Sequence, residues 1–326
     1  MKLEDFAPTA SWANLQLRAQ ILRQLRTFFE ERGFLEIETP LLSADTVVDR
    51  HLDPIAVTLP DDPRDPSRGR KLWLQTSPEF CMTRLLAAGA DAIYQVTRAF
   101  RAGEIGDLHN PEFSIVEWYR AGDNLETGMQ LLGELAESLL GKGFPELLSY
   151  SEAFERYAGV EPHEADALTL QHALAAHGVD ALASAGNDRD ACLDLLLVHC
   201  VEPNLGTGRP TILYDYPASQ AALARVRDDD PPVAERFELY AHGVELANGY
   251  HELLDAAELL RRNKAVNEQR VADGKLQLPE KSRLLVAMDH GLPACTGVAL
   301  GFDRLVMVAA GAKSIADVMA FPIDRA

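Results

Sequence analysis

Phe100-Arg101-Ala102-Gly103-Glu104-Ile105-Gly106-Asp107-Leu108-His109-Asn110-Pro111-Glu112-Phe113, running on into Ser114-Ile115-Val116-Glu117-Trp118-Tyr119, is the stretch that decides the fold. Residues 92–101 and 112–119 are strand-like, and the segment between them is polar and holds Gly103 and Gly106. This pattern predicts an antiparallel hairpin with a loop long enough to carry a ligand. Arg101 stands at the edge of the first strand. Period-two geometry puts Phe113, Glu117 and Tyr119 on one face of the second. An aromatic ring, a carboxylate and a phenol then share a surface with the loop that holds Arg101 and His109. Taken alone, two core aromatics and a surface acid would explain the same pattern.

A second arginine follows another glycine-bounded run, Gly297-Val298-Ala299-Leu300-Gly301-Phe302-Asp303-Arg304. Its small residues read as a short strand that lets a ligand approach the backbone, with a helix beginning near Phe302. Arg304 then lies in the first helical turn, where the unsatisfied N–H groups already favour anions. Guanidinium forks match phosphate oxygens and stay charged at any physiological pH, so Arg101 and Arg304 suit the triphosphate of ATP. Neither run is a Walker loop or a dinucleotide fingerprint.

Composition narrows the class. The chain has 326 residues and 47% hydrophobic content, enough for a packed core and against disorder. Its formal charge of −19 argues against a broad nucleic-acid footprint and favours cationic ligands such as magnesium, an amine or a basic loop of a partner. No apolar run approaches a membrane span, and the first ten residues carry acids and a proline, so a cytoplasmic protein is expected. Cys81, Cys192, Cys200 and Cys295 show no CxxC spacing and read as reduced, buried thiols.

Along the chain, residues 11–32 have helical apolar spacing ending at Gly33, and residues 34–39 alternate as a strand that Pro40 terminates. Residues 61–70 read as an exposed loop. Residues 141–206 shift to Leu, Ala and Glu, with 193–198 apolar all round and so a buried helix. Strands resume at 211–216 and 237–254, the latter broken by a tight turn at His242-Gly243. That turn pairs Tyr240 with Glu245 and makes Glu238 its diagonal neighbour on the same face, a carboxylate pair able to share a hard cation. A strict pleat would turn Asn248 and Glu252 away from Glu245; a bulge at Asn248-Gly249 is predicted to bring them together. His251 is expected to be a hydrogen-bonded structural side chain. Residues 258–273 and those from 302 onward read as helices. The sum is α+β: a mainly antiparallel sheet flanked by helices, in a single domain over 1–326 with 141–206 as a helical insertion.

The segments 33–42, 100–119 and 297–307 resemble the three signature motifs of class II aminoacyl-tRNA synthetases. Within that class the chain is most similar to the lysyl-tRNA synthetase catalytic domain, through Thr76-Ser77-Pro78-Glu79 and Glu245-Leu246-Ala247-Asn248-Gly249. The first motif begins near residue 33, which leaves no room for the anticodon-binding OB domain of those synthetases. With Tyr216-Pro217-Ala218-Ser219-Gln220, this resembles the elongation factor P (R)-β-lysine ligase family, which joins β-lysine to a lysine side chain of elongation factor P.

The resemblance implies an ATP- and Mg2+-dependent ligase in which Arg101 and Arg304 clamp the α- and γ-phosphates as the catalytic residues. Ala102, Gly103, Glu104, His109, Asn110, Phe113, Glu245, Leu246 and Gly301 would complete the ATP site, with Phe113 stacked on adenine. Glu238 and Glu245 would hold magnesium. Ser77, Pro78, Glu79, Glu117, Tyr119, Asn248, Glu252 and Ala299 would bind a lysine-type diamino acid. Elongation factor P is the implied protein partner, and motif 1 implies a homodimer. The sequence departs from the synthetase pattern where the motif 2 acid falls one place late, at Glu104, where Leu108 replaces a second arginine, and where Ala299 replaces glycine on the pocket floor. A tRNA-acylating truncated synthetase, a non-catalytic amino-acid-sensing paralogue and an amidoligase acting on a free small amine are the rival readings.

Overall fold

The structure, a computed structural model, describes residues 6–180 and 185–326. Residues 1–5, part of the acidic start, and residues 181–184, within the predicted helical insertion, lie outside the described residues. The chain divides into two compact units, one from the residues up to Gly122 with Leu253–Cys295 and Ala299–Ala326, the other Asp123–Glu252 with Thr296–Val298.

In the first unit, helix Trp12–Glu30 starts where Ser11 Oγ accepts from the Asn14 amide at 3.1 Å. Its apolar spacing buries Ile21, Leu25, Phe28 and Phe29. Phe29 stacks on Tyr94 at 4.6 Å between centroids, with Phe34 and Trp118 at 5.1 and 5.2 Å, so the helix is fixed to the hairpin by aromatic packing. The chain reverses at Gly33, whose φ of 76° falls in the left-handed region that glycine tolerates. The predicted strand over 34–39 is only Leu35–Glu36, parallel to Ala92–Phe100. Beyond it Thr39 leaves the ladder and spends its hydroxyl on Gln95 Oε1 at 2.9 Å.

The predicted hairpin is Ala92–Phe100 against Glu112–Ala121, antiparallel and in unbroken register from Ala92↔Arg120 to Phe100↔Glu112. A second antiparallel sheet joins Leu42–Ser43, Gly69–Leu74 and Ala56–Pro60. The expected loop over 61–70 is therefore shorter, because Gly69 and Arg70 already pair with Pro60 and Leu59. Helices Glu79–Ala87, Ala256–Ala272, Arg283–Gly291 and Phe302–Ala310 complete this unit.

The second unit orders its strands as Val244–His251, Val233–Ala241, Thr211–Pro217 and Glu146–Ser149, with Val226–Arg227 also pairing to Val233–Ala241. Helices Leu125–Leu140 and Tyr150–Ala158 each begin in a capping box, Asn124 with Thr127 and Ser149 with Glu152. The helical stretch predicted as buried all round is Arg189–Leu196 followed by a π-helical turn, Leu197–Val201. Leu193, Leu196 and Leu197 are buried, but Val198 is 51% exposed, so only part of that surface is core.

The α+β expectation holds, with antiparallel pairing dominant and helices flanking the strands. All four cysteines are free; Cys192, Cys200 and Cys295 are buried and Cys81 is half-buried. No helix among the described residues is long and apolar enough to cross a membrane.

The hairpin of the second unit tolerates no methyl at Gly249, where a Cβ would lie 2.5 Å from Phe237 and 2.9 Å from Val298. Gly249→Ala is expected to destabilise the protein by about 1–3 kcal/mol through overpacking, read as a lower urea midpoint with unchanged slope. Wild-type stability would contradict this packing.

Candidate active site

The long hairpin loop is pinned at its stem. The Arg101 amide donates to Pro111 O at 2.9 Å and the Ala102 amide to Asp53 O at 2.7 Å, while Gly106 and His109 form an isolated antiparallel bridge. Ala102 and Gly103 expose their backbone. The Arg101 guanidinium lies 4.9 Å over the Phe113 ring, and its Nη1 stands 3.8 Å from Glu104 Oε1. The late acid thus still falls within ion-pair reach of the arginine. Arg101 Nε is buried with no hydrogen-bond partner among the described residues, a donor that a ligand would satisfy.

Arg304 lies in the first turn of helix Phe302–Ala310, whose N-cap position is Gly301. Its Nε donates to Leu108 O at 3.2 Å and its Nη2 to His109 Nε2 at 2.6 Å. Burial, then the charge of Arg304, holds the His109 pKa below the ordinary value, so the ring stays neutral and accepts at Nε2. The neighbouring Asp303, 3% exposed, accepts from the Ser114 amide at 2.7 Å and pairs with Arg18 at 2.6 Å. That anchor fixes the helix start to the second hairpin strand, one residue past Phe113. The two arginine motifs are therefore brought to the same loop, as expected. Asn110 is a buried bracket: its amide nitrogen donates to Glu112 O at 2.6 Å and its oxygen accepts from the Ile323 amide at 2.9 Å.

A second cluster holds the predicted amine ligands of this unit. Pro78 is the N-cap of helix Glu79–Ala87, and Ser77 Oγ accepts from the Glu79 amide at 3.0 Å while donating to Glu117 at 2.8 Å. Tyr119 donates to Glu117 Oε1 at 2.7 Å. Glu117 is 1% exposed and Glu79 is 8% exposed, and neither forms an ion pair among the described residues. Burial raises the Glu117 pKa to about 7 against the opposing hydrogen bonds of Tyr119 and Ser77 and the charge of Arg101. Burial, then repulsion from Glu117, pushes Glu79 well above the carboxylate range. Two acids are thus kept from water with no ion pair among the described residues, which costs folding energy. Ala299 is half-buried in the strand Cys295–Gly301.

In the second unit the turn residues His242 and Gly243 take φ of 54° and 73°, the twist of a two-residue hairpin turn. Tyr240 pairs with Glu245 as expected, but the bulge does not fall at Asn248-Gly249. The register shifts between Leu239 and Tyr240, leaving Leu246 as the extra residue, and Asn248 pairs regularly with Glu238. The shift serves the same end two residues earlier: Glu245, Asn248 and then Glu252 turn to the face that carries Glu238. Asn248 Oδ1 is buried without a donor among the described residues, while Leu246 and Glu252 are 2% and 4% exposed. His251 is the expected structural side chain, with Nδ1 2.7 Å from Glu235.

Glu238 departs from an open metal ligand. Its Oε2 accepts from the Tyr216 and Tyr240 hydroxyls, each at 2.5 Å, and its Oε1 accepts from Arg236. Sequence reasoning missed these partners. Arg236 and Tyr240 flank Glu238 at two-residue spacing on its own strand and were legible as same-face neighbours; Tyr216 comes from the next strand. No cluster of three or more His, Cys, Asp or Glu able to hold a metal occurs among the described residues.

An arginine-bearing antiparallel hairpin, a second arginine at a helix start and a glycine-rich strand before it define the catalytic fold of class II synthetases. The family model described as tRNA synthetases class II (D, K and N) matches residues 5–325, and the chain belongs to this family. Among curated relatives, the chain is 46% identical over 325 residues to the elongation factor P–(R)-β-lysine ligase of Proteus mirabilis (strain HI4320), covering 100% of this chain and 99% of that protein. It is 46% identical over 319 residues to the proteins of the same name from Salmonella paratyphi B and Salmonella schwarzengrund, covering 98% of each chain.

The buried acids set a pH dependence. Above the ordinary value of 4.5 the unfolded chain releases a proton that folded Glu117 retains to about pH 7, so stability falls as pH rises through that window. Glu117→Gln removes the penalty and is expected to raise stability at pH 8 by on the order of 2–3 kcal/mol, with little effect at pH 4. Urea unfolding at the two pH values checks this; a loss of stability at pH 8 would show that the charge is already compensated.

Proposed function

We propose that the chain is an ATP-dependent ligase that activates (R)-β-lysine as an adenylate and transfers it to a lysine side chain of elongation factor P. The observation that carries this reading is the Ser77–Glu79–Glu117–Tyr119 cluster, two buried carboxylates without a cation, beside a loop held by two arginines. A substrate with two ammonium groups supplies the missing counter-charge. The full-length likeness to the curated ligases supports the same substrate and acceptor.

In the first step the substrate carboxylate attacks the α-phosphorus of ATP, and pyrophosphate leaves. Arg101 neutralises charge gathering at the α-phosphate, Arg304 holds the γ-phosphate, and Phe113 offers the ring face opposite Arg101 to adenine. Ala102, Gly103, His109, Asn110 and Gly301 line the nucleotide, and Glu104 orients Arg101. In the second step the acceptor amine attacks the acyl carbon, AMP leaves, and a phosphate oxygen of the adenylate takes the amine's proton. Catalysis is mainly positioning and charge neutralisation.

Magnesium fits the acids on the Glu238 face. A carboxylate has about four acceptor sites, of which three on Glu238 are taken, and half-buried Glu245 lies on the same face. Magnesium needs only one or two carboxylates besides phosphates and water, and it would neutralise phosphate charge there. We also propose a homodimer built on the first motif, where Leu35, Leu41 and Leu42 are exposed at 63%, 39% and 38%, and a cytoplasmic site of action.

Arg101→Ala is expected to lower (R)-β-lysine-dependent pyrophosphate exchange by at least about 10²-fold; near-normal exchange would remove the basis of the assignment. Ala299→Gly is expected to open the pocket floor and raise activation of α-lysine in the same assay, and unchanged α-lysine activation would show that the methyl plays no selective part.

A further inference from the structure

We infer that Arg270, in the helix Ala256–Ala272, is a positioning residue for the nucleotide loop at Arg101, a role that rests on the nucleotide reading proposed above. Arg270 is 2% exposed, and the nucleotide and amine sites proposed above give it no part. A guanidinium is costly to bury and is retained where it satisfies several acceptors at once. Here its Nη1 donates to Asp49 O at 2.7 Å and Leu52 O at 3.3 Å, its Nη2 to Asp53 Oδ1 at 2.7 Å and its Nε to Leu276 O at 3.0 Å. Three of these four acceptors belong to residues 49–53, a segment without regular secondary structure whose carbonyls have no ladder to join.

Lys275 strengthens the same strap, reaching Asp53 Oδ2 at 2.9 Å and Arg50 O at 2.8 Å. Arg50 returns an ion pair to Asp273 at 2.8 Å, at the C-cap of the helix. The segment so fixed ends at Asp53, whose carbonyl accepts from the Ala102 amide at 2.7 Å. Ala102 directly follows Arg101; on the other side of Arg101 the Phe100 amide donates to Gln75 O at 2.9 Å, and the Arg101 amide itself to Pro111 O, so Asp53 is the tie on the loop side of the arginine. The chain of contacts from Arg270 through Asp53 to Ala102 therefore sets the backbone from which the α-phosphate arginine projects. Arg270 does not touch the nucleotide in this account. It acts only through that carbonyl.

A residue with this role changes nucleotide binding and leaves amine binding alone. The test measures KM for ATP in pyrophosphate exchange, and (R)-β-lysine affinity by calorimetry, on full-length Arg270→Met, Arg270→Lys and Asp53→Asn. The expected result is a KM for ATP raised about tenfold or more in both Arg270 variants, with amine affinity within about twofold of wild type. Lysine fails to rescue because one ammonium cannot serve acceptors spread around a planar fork. Equal losses of both affinities, or no change in either, would overturn the positioning role. If thermal melts show that the Arg270 variants do not fold, Asp53→Asn decides: it keeps the carbonyl but weakens the strap, and a rise in KM for ATP of about threefold with unchanged amine affinity is expected. No rise in that variant would overturn the inference. Arg101→Ala run alongside separates the two readings, since exchange that survives the loss of Arg101 refutes the nucleotide assignment, and the role of Arg270 with it.

Discussion

Glu117 is a carboxylate on a buried strand face with a second acid, Glu79, beside it and no cation paired to either among the described residues. Folding has to hold that charge against both desolvation and repulsion, and several features near it serve that end. Ser77 bridges the two residues, donating to one side chain and capping the amide of the other. Tyr119 donates from two residues along the strand. The uninterrupted register of the hairpin keeps Glu117 opposite buried Gln95, whose side-chain oxygen is occupied by Thr39. Such an arrangement is poor for stability and good for binding: the energy withheld from the folded protein is available to a ligand that brings positive charge.

The nucleotide side follows a different logic. Arg101 is not saturated by an acid among the described residues. Arg101 meets Glu104 only at 3.8 Å and has one buried N–H to spare, while Arg304 leans on a neutral histidine and a backbone carbonyl. Asp303 bears the structural load of the helix start, accepting from the Ser114 amide and pairing with Arg18.

Much of this was legible from residues alone. The hairpin, the helix beginning at Phe302 and the meeting of both arginine motifs followed from periodicity, glycine placement and the family's motif order. Tyr240↔Glu245 followed from the two-residue turn at His242-Gly243. The bulge did not, because a bulge at Leu246 and one at Asn248-Gly249 give the same facing of Glu245 and Asn248 and differ only in which residue leaves the ladder. The engagement of Glu238 was hidden for a related reason: Tyr216 reaches it from a neighbouring strand, and the pairing register of strands distant in sequence is not written in either one. Arg270 looked like any charge on a polar helix, since its burial depends on residues 49–53, more than two hundred positions earlier.

Under the proposed function a cationic amino acid, once adenylated here, is handed to a protein amine. Intact mass measurement of elongation factor P after incubation with the protein, ATP, magnesium and (R)-β-lysine tests it directly. A single added β-lysyl group on one lysine of the acceptor is expected, absent when ATP is withheld. An unmodified acceptor together with acylated tRNA in a parallel reaction would contradict it.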